Sequence, residues 1–149
     1  MRTVLFICTG NTCRSPMAEA IARRALEQEL GEIGSVFVAS AGVSAIDGMP
    51  VTPEAIAALR RLEIEHRGTS KRLTPEMIRN ADAVLGMTAS HVQAARQLVR
   101  GEPAEAKIQP IDPAGDVDDP IGMDQPVYDA VADRLSRVIP TRLREVLGP

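Results

Sequence analysis

Four short apolar runs rich in strand formers divide the chain. They lie at Thr3–Cys8, Ser35–Ser40, Ala81–Met87 and Lys107–Ile111. The first run, TVLFIC, ends sharply where small and turn-forming residues begin. We predict that each run is a strand and that the first is buried.

Helical composition and spacing fill the segments between these runs. In Pro16–Leu30, apolar residues recur on one face at Met17, Ile21 and Ala25. Further helices are predicted at Pro53–Leu62, Pro75–Asn80 and Ala89–Arg100. Strands separated by helices imply right-handed crossovers onto a mostly parallel sheet. We therefore predict an α/β fold, a doubly wound four-stranded parallel sheet with helices on both faces.

The C-terminal part of the chain combines helical spacing with a proline. Apolar residues recur at helical intervals at Tyr128, Val131, Leu135, Val138, Ile139, Leu143 and Val146. Pro140 lacks a backbone N–H, so we expect a kink or break near Ile139. The long irregular segment before it, Asp112–Gln125, is of a length that usually carries function in a compact domain.

Length and composition narrow the class of protein. With 149 residues, 44% of them apolar, we predict one domain spanning residues 1–149. No apolar stretch approaches membrane-span length and the N-terminus lacks a secretion signal, so we expect a soluble, cytoplasmic protein that does not bind membranes. A net charge of -3, with one tyrosine, two phenylalanines and no tryptophan, argues against nucleic acid as a partner. The oligomeric state stays open.

The segment after the first predicted strand has the features of an anion site. Ligands of open parallel sheets bind at the carboxyl ends of the strands, where Cys8 lies. Gly10 and Asn11 tolerate left-handed backbone angles, so the loop can curl its N–H groups inward. Ser15 offers an N-cap hydroxyl for the helix that follows, and a helix N-terminus attracts anions. These features predict an anion-binding loop from Cys8 to Arg14.

The residues of this loop also suggest a reaction. The planar fork of Arg14 can hold two phosphoryl oxygens. Positive surroundings favour the thiolate of Cys8, which can attack bound phosphate and form a cysteinyl-phosphate intermediate. Ser15 can hydrogen-bond the departing sulfur in the second step. The candidate substrate-binding residues are Thr9, Gly10, Asn11, Thr12, Cys13 and Ser15.

The run CTGNTCRSPMAEA, Cys8 to Ala20, resembles the loop of the low-molecular-weight protein tyrosine phosphatase family. The resemblance extends to Ser40-Ala41-Gly42, His66, Lys71-Arg72-Leu73, Met87 and Asp119-Pro120. It implies the family's four-stranded fold and cofactor-free, metal-free hydrolysis of phosphorylated protein side chains. By position, it makes Cys8 the nucleophile and Arg14 the phosphoryl clamp. Asn11 and Ser40 match positions that brace the loop.

Carboxylates in the long irregular segment supply candidates for proton transfer. They are Asp112, Asp116, Asp118, Asp119 and Asp124. Asp119 precedes Pro120 and matches the Asp-Pro pair of the family, so the resemblance implies that it is general acid and base. Asp118 is the competing candidate. Ala114 interrupts the carboxylate alternation that a calcium loop requires.

Three features favour phosphoarginine over phosphotyrosine as the substrate. At position 12 the chain resembles the bacterial protein-arginine phosphatases, which have threonine there, as Thr12 is here. Phosphotyrosine-directed members generally have a larger aliphatic residue at this position. Only Tyr128 among the aromatic residues is available near the cleft, because Phe6 and Phe37 lie in predicted strands. The acidic segment suits a guanidinium-derived group. A phosphotyrosine phosphatase of the same family is the alternative.

The sequence also leaves interpretations from other functional classes open. Arsenate reductases of this fold use further downstream cysteines, and the chain has none after Cys13. A non-catalytic oxyanion-binding redox sensor would pair Cys8 with Cys13. A zinc site from both cysteines, His66 and His91 is formally possible, although the histidines fit surface or capping roles better.

Overall fold

Four parallel strands form the single sheet of the computed structural model, which describes residues 1–148. Their bounds are β1 Arg2–Cys8, β2 Val36–Gly42, β3 Ala83–Gly86 and β4 Ile108–Pro110. The order across the sheet is β2-β1-β3-β4, and every pair is parallel. All four predicted strands are present, with ends displaced by at most two residues. The predicted fold class is confirmed.

Five helices connect and flank the strands. They are α1 Arg14–Gln28, α2 Pro53–Arg61, α3 Pro75–Asn80, α4 Ala89–Leu98 and α5 Gln125–Leu147, with short 3-10 turns at Gly31–Ile33 and Pro103–Lys107. Threonines 52, 74 and 88 cap α2, α3 and α4, each accepting a backbone N–H in its side-chain oxygen. No helix within residues 1–148 is both long and apolar enough to cross a membrane.

Two apolar cores lie on the two faces of the sheet. Successive side chains of a strand point to opposite faces. Val4 and Phe6 of β1 therefore pack in the core under α1, α2 and α5, whereas Leu5 and Ile7 pack in the core under α3 and α4. This arrangement places helices on both sides, as the sequence predicts, and fixes the carboxyl end of β1 in the middle of the sheet.

The break predicted in the C-terminal helix is absent, because α5 runs continuously through Pro140. Leu135, Ile139, Leu143 and Leu147 recur every four residues, and all are buried. Apolar contacts on both sides of Pro140 thus hold the two halves of α5 against the same core. This burial outweighs the one backbone hydrogen bond that the proline removes.

Candidate active site

The loop that follows β1 curls around the sulfur of Cys8. Asn11 has a φ of 57°, the left-handed conformation that the sequence allows there, whereas Gly10 does not have a positive φ. This turn directs the Asn11 N–H toward Cys8 Sγ at 3.3 Å. Cys8 itself is 1% exposed. The sulfur therefore faces the Asn11 backbone donor on the inner side of the loop.

Ser15 does not cap the helix, in contrast to the sequence-based prediction. Helix α1 begins at Arg14, and Cys13 takes the N-cap position without a side-chain hydrogen bond. The Ser15 hydroxyl lies 2.9 Å from Cys8 Sγ. A hydroxyl that contacts the sulfur is not available to the helix terminus, so Ser15 serves the loop and not α1.

The amide of Asn11 connects the loop to its surroundings in one defined orientation. The Lys71 backbone N–H donates to Asn11 Oδ1 at 2.9 Å, which fixes the oxygen of the amide. Asn11 Nδ2 then donates to Ser15 Oγ at 2.8 Å and to Ser40 Oγ at 2.9 Å. Because Ser15 Oγ accepts from Asn11, its hydroxyl proton is left to donate to Cys8 Sγ. Such a donor stabilises a thiolate.

Ser40 extends this buried network away from the sulfur. It lies near the end of β2, and its hydroxyl donates to Glu19 Oε1 at 2.7 Å. Arg23 holds the other Glu19 oxygen at 2.7 Å. Ser40 contacts the loop only through Asn11, which is the geometry of a supporting residue.

Close packing at the end of β2 requires Gly42. A Cβ on Gly42 would lie 2.5 Å from the Thr9 carbonyl oxygen and 3.0 Å from the Asn11 nitrogen. The next two backbone N–H groups, of Val43 and Ser44, donate to the carbonyls of Cys8 and Thr9 at 2.9 Å and 3.0 Å. The sequence alone assigned Gly42 no role, although Gly42 ends the Ser40-Ala41-Gly42 segment that resembles the family.

Arg14 is buried beside the loop with one donor unpaired. Its Nη1 donates to the Val117 carbonyl at 2.8 Å, and its Nη2 lies 3.4 Å from Asp119 Oδ2. Among residues 1–148, Arg14 Nε has no acceptor. Buried guanidinium donors are costly to leave unpaired. An oxyanion enclosed by the loop would supply that acceptor.

Asp119 is the carboxylate that reaches the loop, whereas Asp118 is exposed and points to no residue of it. Asp119 Oδ1 accepts the Ile121 N–H at 3.0 Å and lies 3.6 Å from Cys13 Sγ. The Asp119 side chain is 39% exposed. It thus borders both the buried guanidinium and solvent.

Cys13 is a buried free thiol next to the nucleophile candidate. Burial, together with the negative charges of Cys8 and Asp119, raises the pKa of Cys13 to about 12. Cys13 therefore stays protonated at neutral pH and can donate to Asp119.

The remaining predicted residues lie in different surroundings. Thr12 is half-buried, and its hydroxyl makes no hydrogen bond within the described part of the chain. Thr9 is exposed at the mouth of the loop. Tyr128 is 2% exposed, and its ring packs in the core that lies under α1, α2 and α5. Burial raises the pKa of Tyr128, with Cys13 as a further cause.

The four candidate zinc ligands do not assemble. Between residues 1 and 148, no three His, Cys, Asp or Glu side chains are grouped so that they could hold a metal ion. His91 is buried and forms a capping box with Thr88, which confirms the capping alternative of the prediction that the histidines are surface or capping residues. His66 is half-buried and lines a pocket that Asn11 also lines.

Comparison with known proteins identifies the same family that the loop sequence resembles. The family model described as low molecular weight phosphotyrosine protein phosphatase matches residues 3–147. The chain belongs to this phosphatase family. The resemblance predicted from CTGNTCRSPMAEA is therefore confirmed.

Relatives of this phosphatase are directed at two kinds of phosphorylated residue. A protein-arginine-phosphatase of Bacillus subtilis is 39% identical over 91% of each chain. A solved YwlE arginine phosphatase mutant with a phosphorylated active-site serine has a TM-score of 0.87 at 36% identity, covering 96% of each chain. A low molecular weight protein tyrosine phosphatase from T. tengcongensis has a TM-score of 0.85 at 39% identity, covering 97% of this chain and 99% of its own.

Proposed function

We propose that this phosphatase hydrolyses phosphorylated protein side chains through a cysteinyl phosphate on Cys8, with phosphoarginine as the preferred substrate. The observation that carries the proposal is the pairing of a buried, donor-contacted Cys8 sulfur with the unpaired Nε of Arg14. A phosphoryl group seated in the loop satisfies Arg14 and places phosphorus in front of the sulfur.

The first chemical step transfers the phosphoryl group to sulfur. The Cys8 thiolate attacks phosphorus, an S–P bond forms, and the bond from phosphorus to the leaving nitrogen or oxygen breaks. Asp119, protonated for this step, gives its proton to the leaving atom. Arg14 and the loop N–H groups stabilise the negative charge on the equatorial phosphoryl oxygens.

The second step releases inorganic phosphate. Asp119, now a carboxylate, removes a proton from a water molecule, whose oxygen attacks phosphorus as the S–P bond breaks. The electron pair returns to Cys8 as a thiolate, which the Ser15 hydroxyl stabilises at 2.9 Å. Neither step requires an oxidant, a reductant or a metal-bound water.

Substrate preference follows from what surrounds the loop. Phosphotyrosine rings are usually held by aromatic side chains. Tyr128 is buried, and Phe37 pairs with Thr3, about 16 Å from Cys8 along β1 at the spacing of a strand. The mouth instead offers the free hydroxyl of Thr12 and the carboxylate of Asp119. Both can accept the N–H groups of a guanidinium-derived substrate.

A substrate panel tests this preference through Thr12. We expect the wild type to have a kcat/KM at least tenfold higher on phosphoarginine peptides than on matched phosphotyrosine peptides. Thr12→Ile should reverse the order, because added volume and the loss of the hydroxyl both disfavour the guanidinium. Thr12→Val is the matched control, since it removes the hydroxyl at nearly constant volume. A tenfold wild-type preference for the aryl phosphate would establish the phosphotyrosine alternative.

The redox-sensor alternative makes a different prediction. A sensor that only binds oxyanions forms no phosphoenzyme and hydrolyses neither substrate. Rapid acid quench of the wild type with phosphorylated peptide should trap a cysteinyl phosphate in the first turnover. An absent burst, together with no release of phosphate from any substrate in the panel, would exclude the phosphatase.

A further inference from the structure

His91 lies against the active-site loop with a defined tautomer. The Thr88 backbone N–H donates to His91 Nδ1 at 3.2 Å, so Nδ1 carries no proton. A neutral imidazole then carries its proton on Nε2. His91 Nε2 lies 2.8 Å from Thr9 Oγ1. The Nε2–H group therefore donates to the Thr9 hydroxyl oxygen.

Thr9 connects this histidine to the phosphoryl clamp. It follows Cys8 directly, and its Oγ1 lies 3.5 Å from Arg14 Nη2. The other contacts of the guanidinium are the Val117 carbonyl and Asp119, both in the acidic loop, residues 112–124. Thr9 is thus the contact of Arg14 that comes from the loop itself, and His91 fixes the direction of its oxygen.

We propose that His91 is a positioning residue that orients the Arg14 guanidinium through the Thr9 hydroxyl. The inference deepens the proposed function, on which it rests, because it assigns the guanidinium its phosphoryl-holding role. His91 does not touch the substrate in this scheme. It keeps Arg14 Nε and Nη2 directed into the loop before the phosphoryl group arrives, which lowers the cost of ordering them on binding.

Burial is the main reason that His91 is neutral at pH 7. The charged groups that face it are Arg14 from α1 and Asp116 and Asp119 from the acidic loop. Burial, reinforced by Arg14, lowers the pKa of His91 to about 4, although the two aspartates oppose this change. At neutral pH the ring therefore offers one N–H, directed at Thr9.

A double-mutant cycle tests the connection. His91→Leu removes the donor and Thr9→Val removes the acceptor. Each should lower kcat/KM about tenfold and raise the inhibition constant of inorganic phosphate by a similar factor, as expected for the loss of one positioning hydrogen bond. Because both act on one path, the double variant should match the single variants. A roughly hundredfold, additive loss would overturn the proposal.

Two further measurements separate positioning from helix capping. His91→Gln offers an oxygen to the Thr88 N–H and an N–H to Thr9, so it should recover activity to within about threefold of wild type. Nitrogen-15 spectra of labelled histidine should show His91 as the neutral Nε2–H tautomer at pH 7. Failure of the Gln rescue, or an Nδ1–H tautomer, would contradict the inference.

The proposed function and this inference fail in distinguishable ways. If the wild type hydrolyses no substrate, the proposed phosphatase activity is excluded. The double-mutant cycle can then be measured with the dissociation constant of inorganic phosphate in place of kcat/KM. If the wild type is active but the cycle is additive, only the role of His91 is wrong.

Discussion

The two halves of the active site are held in place by different means. The loop from Cys8 to Ser15 is mostly buried and is fixed by hydrogen bonds that centre on Asn11, to Cys8 and Ser15 within the loop and to Ser40 outside it. The acidic loop, residues 112–124, is mostly exposed. It is held by Arg134 of α5, which donates to Asp112 Oδ2 at 3.0 Å and to the Gly115 and Asp116 carbonyls at 2.9 Å and 2.8 Å.

This difference matches the tasks of the two halves. Charge stabilisation requires donors that are already oriented and shielded from water, because reorienting them costs part of the gain. Proton transfer requires a carboxylate that meets both leaving group and water, and in the proposed mechanism the partly exposed Asp119 takes this part. Substitutions in the first half should therefore affect binding and chemistry together, whereas those in the second should affect mainly proton transfer.

Replacing the nucleophile should have the largest effect. Cys8→Ser leaves the loop intact but replaces a thiolate with a neutral hydroxyl, so we expect kcat to fall roughly 10⁴-fold or more. Binding of inorganic phosphate should change little, because Arg14 and the loop amides remain. Steady-state kinetics and phosphate titration measure both. Turnover within tenfold of the wild type would refute the role of Cys8.

Removing the proton donor should have the next largest effect. Asp119→Asn cannot protonate the leaving group, and we expect kcat to fall about 10²- to 10³-fold on substrates with basic leaving groups. An aryl phosphate with an acidic phenol should lose less. Asp118→Asn is the matched control and should stay within about twofold of wild type. A larger loss in the Asp118 variant would transfer the role to that residue.

Loosening the acidic loop should have a moderate effect. Arg134→Gln removes the donors that hold Asp112 and two loop carbonyls, so we expect kcat to fall about tenfold through misplacement of Asp119. The loss should depend on the leaving group, as it does for Asp119→Asn. Arg137→Gln, an exposed arginine on the same helix, is the control and should change neither kcat nor Tm. Equal losses on all substrates would contradict this coupling.

Lowering the pH should produce the smallest effect, on stability. The pKa of His91 is lowered from 6.5 to about 4, so the unfolded chain binds this proton at a higher pH than the folded protein. Stability from neutral His91 is therefore full above pH 6.5 and is lost as the pH falls toward 4. Between pH 7 and about 5.5 the wild type should lose about 1 kcal/mol more than His91→Gln. Urea denaturation at both pH values measures the difference, and equal losses would be the contrary result.

Some expectations from the sequence fail where tertiary contacts compete with local preferences. Ser15 has the composition of an N-cap, yet Cys8 and Asn11 use its hydroxyl. Pro140 predicts a kink or break, yet α5 has no break, because buried apolar residues on both sides keep it continuous. The competing partners of Ser15 lie within seven residues of it, in the same loop. Those of α5 lie in a core built from distant segments of the chain.

The sequence by itself determined the four strands, the fold class and the family, because strand-length apolar runs and the loop CTGNTCRSPMAEA are local patterns. Tertiary structure alone decided the link from His91 to Thr9, the anchoring by Arg134 and the need for Gly42. These depend on groups brought together by the carboxyl edge of the sheet and by α5, from segments up to 82 residues apart. A sequence pattern within one segment does not predict contacts between distant segments, because those contacts form only when the sheet and helices pack.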